Sequence, residues 1–416
     1  MIQHPRNIKI EEYNYDLPEN KIAENPLQQR DESKLLIYKN GNITSDKFLN
    51  ISKFLPENSL MIFNDTKVIH ARIIFYKSTG AKIEVFCLEP SGQIKDYETV
   101  MAATQKSMWT CMIGGAAKLK DGHLEKTIVT ENKEIKLSAK IIEKINDKYV
   151  VEFSWQPSTI SFAEVMMQSG KVPLPPYIKR DVAPEDEERY QTIFAKYDGS
   201  VAAPTAALHF TTNVLQSIKE NNTNIGFITL HVGAGTFKPV SSEYINDHEM
   251  HPEWIDVNMN TIESIKNNNF VIAVGTTSVR TLESLYWLGV KIFFEKENKP
   301  FSQIIIPLIN QWEVYEEKFS NCKISVNDAL DTLLKWMKAN DTNHLFTQTK
   351  ILIAPGYKFK IVKALVTNFH QPKSTLLLLI ASAIGENWKS VYAYALENDF
   401  RFLSYGDSNL LFIDQG

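Results

Sequence analysis

The sequence has few cysteines, no long apolar run and no excess of charge of one sign. Cysteine occurs three times, at Cys87, Cys111 and Cys322, which fits neither a disulfide framework nor a CxxC metal site and favours a reducing compartment. The most apolar stretch, residues 376–381, is too short to cross a bilayer, and residues 1–12 are charged where a secretory leader would be apolar. We therefore expect a soluble cytoplasmic protein.

Opposite charges nearly cancel over the 416 residues: there are 45 Lys and Arg and 49 Asp and Glu, which gives a net charge of -4. This balance excludes a uniformly basic nucleic-acid binder but permits a local basic surface. An apolar fraction of 44% and a charged fraction of 23% are ordinary for a globular protein and exclude disorder as the dominant state. The length predicts two or three domains.

The segment from about Ser59 to Phe153 is rich in short β-runs and has almost no helical pattern. Closely spaced strands separated by Gly, Asn and Asp turns are typical of a small antiparallel sheet or barrel. The predicted strands are residues 60–63, 68–76, 82–88, 135–137, 140–145 and 149–153.

Strands and helices alternate beyond a proline-rich hinge at residues 172–177. Alternation of this kind favours a largely parallel sheet covered on both faces. We predict an α/β fold: a body with a mixed, largely parallel sheet, at 1–66 plus 158–416, and an inserted small antiparallel β-barrel domain at 67–157. The predicted strands of the body are 226–232, 271–274, 350–353 and 364–369, and its helices are 279–287 and Pro372 to Gly385.

Residues 288–349 are predicted as a polar helical insertion packed on the body. One clear helix lies within it, which Ser325 can cap and in which Asp328 takes the third helical position.

The turn at residues 275–280, with the sequence GTTSVR, carries the sharpest site pattern. A glycine turn into a helix directs backbone N–H groups, hydroxyls and a guanidinium at one point, which suits a carboxylate or a phosphate. The alternative is an ordinary N-cap by Thr277 or Ser278, with Arg280 paired to Glu283 on the surface. The residues predicted to bind substrate here are Thr276, Thr277, Ser278 and Arg280.

Nine histidines occur, and four of them fall between His209 and His251. Histidine titrates near neutral pH, so this grouping suits acid–base chemistry, although each one could equally be a hydrogen-bonded structural residue. His231, His248 and His251 would also permit a metal-dependent hydrolase. However, HxxH lacks the i, i+4 spacing of a zincin helix and Pro252 follows it, so we predict no bound metal.

Gly233 and Gly235 follow the predicted strand at 226–232, but the third glycine of a dinucleotide fingerprint is absent. They let the backbone pass close either to a ligand or to a neighbouring strand. Polar loops that contain Thr205 and Asn368 are expected to meet at the carboxyl edge of the sheet, where ligands bind in α/β proteins. Basic side chains near the hinge could form a phosphate track: Lys171, Lys179, Arg180 and Arg189.

Several of these segments are motifs that run in the same order through one known family. They include NDTKVIHAR at 64–72, PTAALHF at 204–210, TLHVGAGTFKPV at 229–240, GTTSVR at 275–280, TNFHQPKST at 367–375 and SYGD at 404–407. The sequence resembles the S-adenosylmethionine:tRNA ribosyltransferase-isomerases of queuosine biosynthesis over almost its whole length, with residues 284–351 as the main gap.

The resemblance implies the same fold, an α/β body with an inserted β-barrel, and a reaction. The ribosyl part of S-adenosylmethionine is joined to the aminomethyl group of 7-aminomethyl-7-deazaguanine at the tRNA wobble position and isomerised. The products are epoxyqueuosine-tRNA, adenine and methionine. S-adenosylmethionine would be a consumed substrate with no other cofactor, and tRNA would be the partner of a monomeric enzyme.

This implied chemistry assigns roles to residues. The sulfonium acidifies the ribose C5′ hydrogens, and the candidates for the base that removes one are His231, His209 and His370. Tyr405, Asp407 or another histidine could donate a proton to the departing adenine, and the methionine carboxylate suits the 275–280 turn. Further substrate contacts are expected from Gly233, Gly235, Thr205, Asn368, Tyr177, Lys179 and Arg180.

Some positions depart from the family pattern. Ala207 stands where glycine is usual, Gln371 where leucine is usual and Leu403 where an aromatic residue is usual. The segment 113–118 lacks the family's Arg-Pro-x-Lys, which removes a basic residue expected to contact tRNA. These changes keep a second hypothesis open, a divergent paralogue that binds RNA without this turnover.

Overall fold

The computed structural model describes residues 4–92, 97–119, 122–130, 133–233 and 240–414. Its strands in chain order are β1 (Lys34–Lys39), β2 (Asn42–Lys47), β3 (Leu60–Asn64), β4 (Thr66–Val68), β5 (Arg72–Tyr76), β6 (Lys82–Pro90), β7 (Lys106–Gly114), β8 (His123–Val129), β9 (Glu134–Ile145), β10 (Lys148–Gln156), β11 (Gly170–Lys171), β12 (Tyr197–Ser200), β13 (Asn224–Leu230), β14 (Glu253–Asn258), β15 (Val271–Val274), β16 (His344–Thr349), β17 (Val362–Asn368) and β18 (Ser408–Phe412).

The α-helices lie mostly in the second half of the chain. In chain order they are α1 (Tyr97–Ala102), α2 (Phe162–Ser169), α3 (Asp186–Arg189), α4 (Thr212–Glu220), α5 (Met259–Lys266), α6 (Thr276–Glu295), α7 (Glu317–Ser320), α8 (Val326–Ala339), α9 (Thr375–Ile384) and α10 (Asn387–Glu397).

A nine-stranded mixed sheet forms the body, in the order β16-β14-β13-β3-β15-β17-β18-β1-β2. The four central strands β13, β3, β15 and β17 run parallel to one another. Antiparallel pairs, β13 with β14 and β17 with β18, flank them. The predicted mixed α/β body is confirmed, and its parallel part is confined to the centre and to the β18–β1 pair.

Both faces of this sheet are covered, as the strand sequences require. Along β3, Leu60 and Ile62 enter the apolar core that α6 and α8 share. Met61 and Phe63 point the other way, into the core that includes Val214 of α4. Because side chains alternate along a strand, a continuous apolar run such as this one can be buried on two faces.

A seven-stranded antiparallel sheet, in the order β11-β5-β6-β7-β10-β9-β8, forms the insert. It surrounds its own apolar core, which includes Trp109, Phe153 and Phe162. The predicted antiparallel insert is confirmed. The sheet is curled and open, with β11 and β8 as its edges within the described ranges, rather than a closed barrel. Its last strand lies at Gly170–Lys171, beyond the predicted boundary at 157, and the domain limits stay a prediction.

Several predicted elements differ from the structure. The segment 68–76 is interrupted between β4 and β5, and α1 is a helix in a block whose sequence has almost no helical pattern. The predicted strand at 350–353 is wrong, because β16 ends at Thr349. Pro372 lies in a loop rather than in the first turn of α9, which Ser374 caps by accepting a hydrogen bond from the backbone N–H of Leu377.

The stretch 288–349 is divided among several elements. Its first residues continue α6 to Glu295, and its last residues form the edge strand β16. The predicted helix is confirmed as α8, with the Ser325 hydroxyl accepting from the backbone N–H of Asp328 at 3.1 Å. Helix α8 packs on α6 and α5, so this part of the chain extends the core of the body.

Candidate active site

A pocket lies at the carboxyl ends of the central parallel strands. Val232 follows β13, Gly275 follows β15, and residues 367–371 end β17 and begin the loop after it. The pocket has a volume of about 750 Å³, including the space open to solvent. Ligands of open α/β sheets bind at this edge because the loops after parallel strands converge there. Its walls are formed by Tyr177, residues 202–206, Val232, residues 275–277, residues 367–371, Ser374, Leu376, Leu403 and Ser404.

The structure brings together at this pocket six of the residues predicted from the sequence. One of them, Asn368, is buried and accepts a hydrogen bond from the Thr205 hydroxyl at 2.8 Å. Gln371, at one of the positions that depart from the family pattern, is also in the wall, whereas Ala207 is buried in the core. The six are Tyr177, Thr205, Thr276, Thr277, Asn368 and His370.

The start of α6 lies in the pocket wall without a capping side chain among the described residues. Gly275, at φ 89°, is the N-cap and no side chain caps the helix. The alternative prediction of a cap by Thr277 or Ser278 is wrong, because the Ser278 hydroxyl donates to the Val274 carbonyl at 2.7 Å. The Thr277 hydroxyl is buried without a hydrogen-bond partner among the described residues. A 20-residue helix whose first N–H groups are free favours an anion at this end.

Arg280 lies outside the pocket wall, in the buried interior. Its guanidinium pairs with Glu253 and donates through Nε to the Ile351 carbonyl at 3.1 Å. The predicted surface pair with Glu283 is wrong. Glu283 is buried and accepts hydrogen bonds from the backbone N–H groups of residues 360–362, while burial raises its pKa. Arg280 therefore holds α6 against β14 rather than presenting charge at the pocket.

His231 directly follows β13, and three residues fix its ring. Its Nδ1 atom lies 3.0 Å from the Thr66 hydroxyl. The Tyr97 ring of α1 packs on it at 4.5 Å between centroids. At Gly199 an added Cβ would lie 2.7 Å from Nδ1, so a side chain there would overlap the imidazole. His231 is half-buried, which leaves it access to solvent or substrate.

His209 and His370 are enclosed. Burial lowers the pKa of His209 to about 4 and that of His370 to about 3. His209 lies behind the pocket wall, with Nε2 3.3 Å from the Asn368 amide nitrogen. His370 lies in the wall, with Nε2 3.0 Å from the Thr367 hydroxyl. Both are neutral at pH 7 and are weak bases.

Tyr405 and Asp407 lie outside the pocket wall. The Tyr405 hydroxyl donates to Asp186 at 2.8 Å, and the Arg180 guanidinium binds the same carboxylate at 2.6 and 2.8 Å. Asp407 accepts from the backbone N–H groups of Lys34 and Arg401 at 3.0 and 2.8 Å. These hydrogen bonds occupy the Tyr405 hydroxyl and the Asp407 carboxylate with contacts inside the protein.

The remaining predicted residues are peripheral or lie outside the described ranges. Lys179 is exposed and pairs with Glu19 at 2.7 Å. Gly233 has open space at its Cβ position. Gly235 lies outside the described residues.

Sequence reasoning missed several groups that shape this region. Asp65 follows β3, accepts from the Thr229 hydroxyl at 2.7 Å, and has its pKa raised to about 6 by burial. The sequence signal that could have identified Asp65 is its position directly after a buried strand. Thr66 lies within the motif at 64–72, but its contact with His231 depends on the pairing of β3 with β13. Tyr97 carried no signal, since its contact with His231 arises only when the insert folds against the body. Leu403 lines the pocket with a left-handed φ of 68°, which is sparsely populated by non-glycine residues.

The histidines of the hydrolase alternative are not grouped as a metal site. Among the described residues, no three His, Cys, Asp or Glu side chains are arranged to hold a metal ion. Within the same residues, no helix combines the length and the apolar character that crossing a membrane requires.

An α/β sheet with a pocket at its carboxyl edge, lined by apolar residues and a few hydroxyl, amide and imidazole groups, and with an oriented histidine at the end of a neighbouring strand, defines this protein as one of the α/β enzymes. The sequence profile of the family described as "Queuosine biosynthesis protein" matches residues 10–411. The chain belongs to this family, and the prediction made from its motifs is confirmed.

Relatives match from end to end. Proteins named S-adenosylmethionine:tRNA ribosyltransferase-isomerase from Halothermothrix orenii and Francisella philomiragia are 35% and 36% identical, each over 97% of this chain and 100% of the relative. The one from Nitratiruptor is 37% identical over 97% of this chain and 98% of the relative. A crystal structure of S-adenosylmethionine tRNA ribosyltransferase from Thermotoga maritima is 23% identical with a TM-score of 0.44, covering 96% of this chain and 100% of that one.

Proposed function

We propose that this protein transfers the ribosyl moiety of S-adenosylmethionine to 7-aminomethyl-7-deazaguanine at the tRNA wobble position and isomerises it. The products are epoxyqueuosine-tRNA, adenine and methionine. Family membership over residues 10–411 supports the reaction. The pocket at the carboxyl edge of the sheet is the observation that supports its location. S-adenosylmethionine is the consumed substrate, and the proposal requires no further cofactor.

In this proposal the methionine carboxylate binds at the start of α6. The first backbone N–H groups of the helix have no capping side chain, and the Thr277 hydroxyl is free to donate among the described residues. A carboxylate at a helix N-terminus is stabilised by the N–H groups and by the helix dipole. Arg280 contributes by holding the helix through Glu253 instead of binding the carboxylate.

His231 is the base in this proposal. A base that removes a C5′ proton at neutral pH must be unprotonated and still basic, which disfavours His209 and His370 with pKa values of about 4 and 3. His231 is half-buried and oriented; its own side chain lies outside the pocket wall, which begins at the next residue, Val232. The proton passes from C5′ to the imidazole, and the pair left on C5′ and the lone pair of the aminomethyl nitrogen supply the new bonds of the ribosyl product. Adenine departs with the electron pair of its ribosyl bond and gains a proton, methionine departs with the pair of the C5′–S bond, and the amine nitrogen loses a proton, so that one net proton is released.

Asn368 and Thr205 provide hydrogen-bonding groups in the pocket wall. Their mutual hydrogen bond and the contact of Asn368 with His209 fix the orientation of the amide. We propose that this wall binds the nucleoside parts of the substrates. The proposal assigns the reaction to a monomer in the cytoplasm, where its tRNA substrate is found.

The test is to incubate the protein with S-adenosylmethionine and tRNA that carries the deazaguanine precursor. We expect adenine release together with a matching mass increase of the wobble nucleoside. The control is the same tRNA with an unmodified guanine, which should give neither. Folded protein that binds the precursor tRNA but releases no adenine would favour the paralogue that binds RNA without turnover.

A further inference from the structure

A second, smaller cavity adjoins the pocket and is lined by three arginines. We call it the arginine cavity and define it by Arg30, Arg189, Arg401 and Ser33. Ser404 lines both this cavity and the pocket, so the two spaces are neighbours.

Two of the three arginines of the arginine cavity have no carboxylate at ion-pair distance. Arg401 pairs with Asp407 at 3.2 Å, but neither Arg30 nor Arg189 has a carboxylate within 4 Å in the described part of the chain. Arg30 donates to the Gln191 carbonyl at 3.1 Å, and Arg189 donates to the carbonyls of residues 27 and 28. Burial, and then the charge of Arg189, lower the pKa of Arg30, and the carboxylates of Glu188 and Asp31 oppose this from beyond ion-pair distance. An anion in the cavity would offset the burial and the repulsion.

Two buried donors in the cavity wall lack partners. The Ser33 side chain is 1% exposed, and its hydroxyl makes no hydrogen bond with any described residue. The Nε–H of Arg189 is likewise buried and unpaired within the described ranges. Buried donors are almost always satisfied in folded proteins, so a pair of them at one cavity indicates an acceptor that comes from outside the chain.

We propose that the arginine cavity binds a phosphate group. Its volume of about 280 Å³, which like that of the pocket includes space open to solvent, is less than half of the pocket's 750 Å³ and leaves room for an oxyanion. A guanidinium group can donate two parallel hydrogen bonds to a pair of phosphate oxygens. Three guanidinium groups and a hydroxyl offer more hydrogen-bond donors than the two oxygens of a carboxylate can use.

The phosphate source that the position favours is the RNA backbone. This assignment rests on the proposed function, in which a wobble nucleotide enters the pocket. A backbone phosphate next to that nucleotide would reach the arginine cavity across Ser404, which both spaces share. The other source of the same chemistry is a free phosphate ion.

The experiment uses Ser33→Asp, which places a carboxylate among the arginines, and Ser33→Asn, which has nearly the same shape without the charge. tRNA binding is measured by fluorescence anisotropy at several salt concentrations, with thermal unfolding as the control for folding. We expect Ser33→Asp to weaken tRNA binding about tenfold and to lower the salt slope by about one, and Ser33→Asn to stay within about threefold of the wild type. Equal affinities and slopes for the two variants would overturn the RNA assignment.

Two further measurements distinguish an RNA phosphate from a free phosphate ion, and distinguish failure of this proposal from failure of the proposed function. Arg30→Gln should weaken tRNA binding about as much as Ser33→Asp, whereas Lys219→Gln, at an exposed position on α4, should not. Inorganic phosphate should raise the melting temperature of Ser33→Asn but not of Ser33→Asp at equal ionic strength. A phosphate effect with unchanged tRNA binding would assign the cavity to the free ion and overturn the RNA source. A wild type that does not bind tRNA would contradict the proposed function itself.

Discussion

The Nδ1 atom of His231 lies 3.0 Å from the hydroxyl oxygen of Thr66, and this pair joins the ends of two neighbouring parallel strands. Thr66 comes two residues after β3 and His231 one residue after β13. Because the two strands are paired along their length, the backbone of the central sheet fixes the direction of the imidazole. The Thr66 hydroxyl can donate to Nδ1 or accept from it, so it can serve the ring in either tautomer.

Thr66→Val should lower kcat because it removes this partner with little change in volume. We expect a fall of about tenfold, as for the loss of one hydrogen bond, with the KM for S-adenosylmethionine within about threefold of the wild type. The pH profile of kcat should shift, and Thr66→Ser should restore both properties. A Thr66→Val enzyme with wild-type kcat and pH profile, altered only in melting temperature, would reduce the contact to a structural one.

Gly199→Ala should disturb the His231 ring from its other side. An added Cβ would lie 2.6 Å from the Tyr97 ring and 2.7 Å from His231 Nδ1, at a φ of 151°. We expect kcat to fall by at least about tenfold and the melting temperature to drop, since overpacking costs about 1–3 kcal/mol. Gly114→Ala is the matched control, because its Cβ would meet Glu84 at an ordinary 3.5 Å. Equal activity of the two variants would contradict the close packing.

Thr277→Val and Arg280→Gln should separate substrate binding from stability. Thr277→Val should raise the KM for S-adenosylmethionine about threefold to tenfold at an unchanged melting temperature, because its hydroxyl has no partner in the described structure. Arg280→Gln should destabilise the fold by about 3–5 kcal/mol, because it leaves Glu253 buried and unpaired. The measurements are steady-state kinetics and thermal unfolding of both variants. An Arg280→Gln enzyme with a raised KM and an unchanged melting temperature would place Arg280 at the substrate.

Asp65 predicts a pH dependence of stability. Burial raises its pKa to about 6 from the ordinary 3.8, so the folded state holds this proton more tightly than the unfolded state. Its contribution to stability is therefore complete below about pH 4 and is lost as the pH rises through about 6. Asp65→Asn removes the titration and should gain melting temperature relative to the wild type over this window. A difference between the two proteins that stays constant from pH 4 to 8 would contradict the raised pKa.

Much of the fold could be predicted from the sequence, because its signals are local. Buried β-runs, the cap at Ser325 and the glycine turn at Gly275 each appear in a few neighbouring residues. The strand predicted at 350–353 was wrong because an apolar run is consistent with more than one buried conformation.

The candidate site could be predicted only as a set of loops. The motifs indicate which segments meet, but the partner of each side chain depends on packing between residues far apart in sequence. Arg280 illustrates this, since its pattern suits an anion while its partner, Glu253, lies 27 residues away. Tyr97 is a second example, because the insert brings it to His231 from a segment with no site motif.

The rate of adenine release by His231→Asn tests the central assignment most directly. The reaction contains S-adenosylmethionine and precursor tRNA, and His123→Asn, at an exposed position in the insert, is the control. We expect the wild type and the control to release one adenine for each modified nucleoside. His231→Asn should be slower by at least about a hundredfold, the lower range for loss of a general base, while it binds S-adenosylmethionine as tightly as the wild type. Adenine release by His231→Asn at the wild-type rate would contradict the assignment of His231 as the base.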